Sequence, residues 1–246
     1  MRSDAGRSGA WTIGAAVLAA LIAGCAVPAA ARPTGQAPQA SADPRNPALM
    51  RDFANCLYVT DPAKAEYFLE HSDAYAVGPF PGLDNVEAYL GVGQCRARQP
   101  AAFAAINYKP SIVTLRGMLA EQAYLARNAA YPGPKGIVAI RRYYVSPDPK
   151  VNANARGMAL FSDCLVSSDS ENADALLRTV PGSDAERAAA QLIAPALGKC
   201  LLGGQTIPFK PQDVRWFAAE GLWQRYLAPG TPPSAPVVAQ STQRDK

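Results

Sequence analysis

The chain has 246 residues, 49% hydrophobic and 18% charged, enough apolar material for one domain or two small ones. Its formal charge of +4 falls to +3 without residues 1–24, where Arg2 and Arg7 outweigh Asp4. No Lys/Arg cluster stands out beyond Arg141-Arg142, which argues against nucleic acid as a partner.

In chain order, Arg2 and Arg7 form a basic leader, and Trp11 to Ile22 is an uncharged apolar run too short for a membrane span. The run ends Leu21-Ile22-Ala23-Gly24-Cys25. This resembles a bacterial lipobox, which implies that residues 1–24 are a signal peptide and that Cys25 is lipidated and becomes the first mature residue. The membrane is then a partner through an N-terminal lipid, with the chain facing the periplasm. Ala26 in the second mature position, rather than Asp, resembles the signal for onward sorting to the outer membrane. The alternative is ordinary cleavage after Ala29-Ala30-Ala31, giving a soluble periplasmic or secreted protein. Residues 25–46, with prolines at 28, 33, 38 and 44, read as a flexible tether.

Beyond the tether the sequence repeats itself. Phe53-Ala-Asn-Cys56-Leu57, Asp61, Ala65 and Phe68-Leu69 return in constant register as Phe161-Ser-Asp-Cys164-Leu165, Asp169, Ala173 and Leu176-Leu177. A downstream echo pairs Lys109-Pro110 and Leu115-Arg116-x-Met118-x-Ala120-Glu121-x-x-Tyr124 with Lys210-Pro211 and Val214-Arg215-x-Phe217-x-Ala219-Glu220-x-x-Trp223. The expected fold is all-α: two tandem four-helix repeats, residues 47–128 and 156–228, joined by an irregular connector over 129–155. A disordered tail follows from 229 to 246.

In the first repeat, Leu49, Met50, Phe53, Cys56 and Leu57 recur at helical spacing. Asp61-Pro62 supplies an N-cap and a proline at N1 for a second helix carrying Ala65, Phe68 and Leu69. A third helix is expected from Asp84 through Val86, Tyr89 and Leu90 toward Cys95. Pro110 opens a fourth, with Leu115, Met118, Leu119 and Ala123 inward. Gly136 to Val145 permits a strand, but no partner strand is in sight. In the second repeat, Ser183-Asp-Ala-Glu186 is a capping-box pattern. Leu192, Ile193, Ala196, Leu197 and Cys200 then share a face, with a kink or break expected at Pro195. Pro211 opens the last helix, with Val214, Phe217, Ala218 and Leu222 inward and Trp216 and Trp223 along one flank.

With Cys25 set aside, four cysteines remain, two per repeat, which suits a compartment where disulfides persist. Four allow three connectivities. If each repeat closes on itself, the pairs are Cys56–Cys95 and Cys164–Cys200. A four-thiolate zinc site is the rival reading, but these cysteines lack close C-x(2–4)-C pairing, so no metal is assigned. No cofactor is implied.

Nucleophile, zincin, Walker and dinucleotide motifs are absent from the sequence, and a single histidine, His71, argues against a Ser-His-Asp triad. No catalytic residue is assigned, and the chain is not read as an enzyme. Asp61 and Asp169 read as helix caps. Arg116, Glu121, Tyr124, Arg215, Glu220 and Trp223 are the candidate ligand or structural residues. Each arginine lies roughly 140° around its helix from the following glutamate, so the two are not in-helix partners and should reach a neighbouring helix or turn. The body of the chain looks similar to uncharacterised exported helical proteins of Gram-negative bacteria, a resemblance that implies no activity. Three functions follow. The first is an envelope lipoprotein with a structural or protein-interaction role, its partners envelope proteins. The second is a binding module with a small-molecule or peptide cleft between the repeats. The third is a hydrolase acting through carboxylates.

Overall fold

The computed structural model describes residues 46–78, 83–101, 110–135, 146, 148–201 and 209–228. The leader with Cys25, the tether, residues 136–145 of the connector and the tail lie outside the described residues. Within them every regular element is a helix, accompanied by one isolated β-bridge between Ser72 and Val77.

Helix α1, Pro47–Thr60, starts where the Asn46 side chain accepts a hydrogen bond from Ala48 N and proline fills N1. It buries Leu49, Met50, Phe53 and Leu57. Helix α2, Pro62–Glu70, is capped by Asp61, whose Oδ1 accepts from Lys64 N at 3.0 Å. The expected third helix is broken in two. A 3-10 turn, Leu83–Asn85, leads into α3, Val86–Tyr89, and α4 follows as Val92–Ala97. The break falls at Gly91, whose φ of 69° is open to glycine because it has no Cβ to clash. Helix α5, Ile112–Arg127, is capped by Ser111, so Pro110 precedes the helix instead of opening it.

Helix α6, Pro149–Ser168, begins inside the stretch read as connector. The cause is an Asp-Pro start like that of α2: Asp148 accepts from Lys150 N at 2.8 Å, with Pro149 at N1. Helix α7, Ser170–Arg178, is capped by Asp169. Helix α8, Asp184–Cys200, runs unbroken through Pro195. Pro195 and Gln191, whose carbonyl loses its donor, both lie on the exposed side, where water can serve the freed group. Leu192, read as inward, is 62% exposed. It stands 100° around the helix from Ile193, outside the arc of Ala189, Ile193, Ala196 and Leu197 that is buried. Helix α9 is Pro211–Tyr226.

The described residues belong to one compact unit. Helices α5 and α9 form its centre and pack on each other; α1 and α2 lie on α5, while α6 and α7 lie on α9. Two glycines permit the close approaches. A Cβ on Gly117 would sit 2.6 Å from Trp216 Cβ, and one on Gly221 would sit 2.4 Å from the Ser162 carbonyl oxygen. Disulfides Cys56–Cys95 and Cys164–Cys200 tie α1 to α4 and α6 to α8. These are the pairs expected if each repeat closes on itself, and they suit a location outside the cytosol. Among the described residues, no helix is long and apolar enough to cross a membrane, and no group of His, Cys, Asp or Glu is placed to hold a metal ion.

Candidate functional site

The residues singled out on the fourth helices come together where α5 meets α9, and they do so crosswise. Arg116 of α5 donates to Glu220 of α9, and Arg215 of α9 grips Glu121 of α5 with Nε at 2.8 Å and Nη2 at 2.9 Å. Residue 116 lies by 220 and 121 by 215, so the two helices run antiparallel. Each arginine also closes the end of a second helix. Arg116 Nη1 donates to the carbonyl of Leu69 at 2.7 Å, in the last turn of α2, and to that of Ser72 at 2.5 Å, just beyond it. Arg215 donates to Leu176, Leu177 and Thr179 carbonyls at the end of α7. A helix C-terminus leaves its last carbonyls unpaired and carries partial negative charge, so a guanidinium there satisfies both demands.

Tyr124 and Trp223 hold the next turn of these helices. The Tyr124 hydroxyl donates to Asp174 at 2.8 Å, and Arg178 secures the same carboxylate with Nε at 2.7 Å. Burial, followed by the hydrogen bond to Asp174 and its charge, holds the Tyr124 phenol far above the ordinary tyrosine value. The Trp223 ring lies 5.7 Å from the Arg116 guanidinium, within cation–π range. His71 caps α2, with Nδ1 2.8 Å from the Tyr67 carbonyl and its ring stacked on Tyr67.

The two carboxylates at the crossing differ in their surroundings. Glu121 is met by Arg215 and by Arg51, whose Nε stands 3.4 Å away. Glu220 is met by Arg116 and by the Gln224 amide nitrogen at 2.8 Å. The Glu220 side chain keeps 15% of its surface exposed, against 4% for Glu121. What exposes it is a cavity of about 320 Å³ enclosed by α6, α9, the start of α5 and the turn after α2. Leu69, Val113, Met158, Phe209, Phe217 and Trp223 supply much of its apolar wall. Two buried polar atoms on lining residues, Trp216 Nε1 and Gln224 Oε1, have no hydrogen-bond partner among the described residues. Unmet buried polar atoms are costly and rare, but these two have almost no accessible surface and do not open onto the cavity.

Sequence reasoning missed several residues of this region. Arg51 lies outside the repeated identities, yet its register partner is Ala159, a change legible in the sequence. Glu186 was read only as half of a capping box. Ser183 Oγ does accept from Glu186 N, but the Glu186 carboxylate takes Gly182 N at 2.6 Å and Arg215 at 3.1 Å. Asp174 and Arg178 carried no motif at all. Compared with family models, curated proteins and solved structures, the chain matches none.

Proposed function

We propose that this chain is an exported binding protein, anchored by a lipid on Cys25, whose duplicated helical halves enclose one small-molecule site. The observation that carries this reading is the cavity beside Glu220, whose mostly apolar wall holds that carboxylate. Its volume is at the lower edge of the range of roughly 300–1,000 Å³ usual for ligand pockets. The lipobox-like end of the leader, the proline-rich tether and the two disulfides support export and anchoring. The constant register of the repeats and the reciprocal Arg–Glu exchange support duplication of an ancestral helical unit. No catalytic role is proposed for Glu121 or Glu220, because guanidinium groups engage both.

Two experiments test this. A thermal-shift screen of metabolite-sized compounds should yield stabilising compounds whose effect disappears in Ala159→Phe, which fills the cavity from α6. Shifts that persist in that variant would remove the cavity as the binding site. Cys25→Ser should move the protein from the detergent phase to the soluble periplasmic fraction. A wild-type protein that is already soluble and begins at Arg32 would replace the anchor with ordinary cleavage.

A further inference from the structure

Positions 51 and 159 occupy the same place in the duplicated register, two residues before Phe53 and Phe161. Glu121 and Glu220 are likewise matched, each five residues after its arginine. In the first half, Arg51 fills the place facing the glutamate: besides its 3.4 Å approach to Glu121, its Nη1 donates to the Thr179 carbonyl at 2.8 Å. In the second half that residue is Ala159. The space a guanidinium would take is part of the cavity, which Ala159 and Glu220 both line. Among the described residues, one half thus carries a cation at this position and the other half has alanine there.

We propose that the cavity selects a small ligand with a protonated amine, amidine or guanidinium head on an apolar or aromatic body. The head sits beside Glu220 as Arg51 sits beside Glu121. This rests on the cavity being a ligand site, as proposed above. Among the described lining residues the carboxylates Asp73, Asp213 and Glu220 face one cation, Arg116, and Asp73 and Asp213 accept hydrogen bonds from backbone N–H groups. Arg116 is already turned toward Leu69, Ser72 and Glu220, so it offers an anion little. Phe209, Phe217 and Trp216 present aromatic surface suited to a cation or an aromatic body.

The test is an NMR titration of the full chain, both disulfides formed, with 2-phenylethylamine, 2-phenylethanol and phenylacetate. These share a body and differ in the charge of the head. The Trp216 indole N–H serves as reporter. The amine should bind about tenfold tighter than the alcohol, as one charge-assisted hydrogen bond implies, and the acid weakest. Glu220→Gln should erase the difference between amine and alcohol. Ala159→Arg should block all three, and it remains decisive if Glu220→Gln fails to fold, because it adds a partner to Glu220. Equal affinity for amine and alcohol, both lost in Ala159→Arg, would overturn the charge selection and leave the cavity as a ligand site. No binding by any probe, or binding indifferent to Ala159→Arg, would overturn both.

Discussion

Arg215 lies without exposed surface against Glu121, while Arg116, on the other central helix, reaches Glu220 in the reverse sense. Each guanidinium therefore binds the facing fourth helix to the end of a second helix. Removing one partner of a buried pair strands the other charge, at a cost of about 3–5 kcal/mol. Arg215→Met should lose stability in that range by urea denaturation. Arg116→Met should lose less, because Glu220 borders the cavity and water can reach it. Arg215→Lys should rescue little, since an ammonium cannot reproduce the two-pronged grip on Glu121.

The glycines divide into two kinds, with opposite expected signs. Gly117→Ala and Gly221→Ala drive a methyl into Trp216 and into the α6 backbone, and each should destabilise by about 1–3 kcal/mol. Gly157, at an exposed position of α6, has nothing within 4 Å of an added Cβ. Gly157→Ala should therefore stabilise by about 0.5–1 kcal/mol, through helix propensity alone. Thermal melts of the three variants check the signs.

Capping and apolar spacing were legible in the chain because they act over a few residues. Asp61, Asp169 and Ser183 cap as their types dictate, and Phe53, Leu57, Phe68 and Leu119 are buried as their spacing requires. The two disulfides were legible through the repeat. The crosswise exchange was not, because the register relates Arg116 to Arg215 but says nothing of which glutamate each meets across 104 or 94 residues. Gly91 illustrates another limit: the apolar pattern from Val86 to Cys95 reads as one helix, and only the backbone angle places the break. The cavity depends on the absence of side-chain volume at Ala159, which no motif records.

The disulfides should hold α4 to α1 and α8 to α6, the helices that lie against the central pair. Their sequence separations of 39 and 36 residues correspond to about 4 kcal/mol each in the chain-entropy view, less any native strain. Non-reducing peptide mapping should recover Cys56–Cys95 and Cys164–Cys200. Replacing Cys164 and Cys200 together by serine should cost about 2–4 kcal/mol. That variant should also expose the α8 end to proteolysis before the rest of the chain.

Stability should fall in alkali, and Tyr124 should be a principal cause. Its hydroxyl is buried and donates to Asp174, so the native state holds the phenolic proton far above the ordinary tyrosine range. Tyr58, raised mainly by burial and then by Glu66, and Tyr226, raised by burial and then by Tyr131, shift in the same direction. An unfolded tyrosine loses its proton near pH 10. Below that value both states keep the proton, and the full contribution is present. Above it the unfolded state binds fewer protons than the native state, so the free energy of unfolding declines as pH rises through the raised native values. The slope approaches about 1.4 kcal/mol per pH unit for each fully shifted group. Tyr124→Phe should lose about 1 kcal/mol at pH 7, from the missing hydrogen bond, and should flatten the decline between pH 10 and 11.5. Urea titrations of both proteins across that window measure the difference directly. Parallel slopes would show that the Tyr124 proton is not held by the fold.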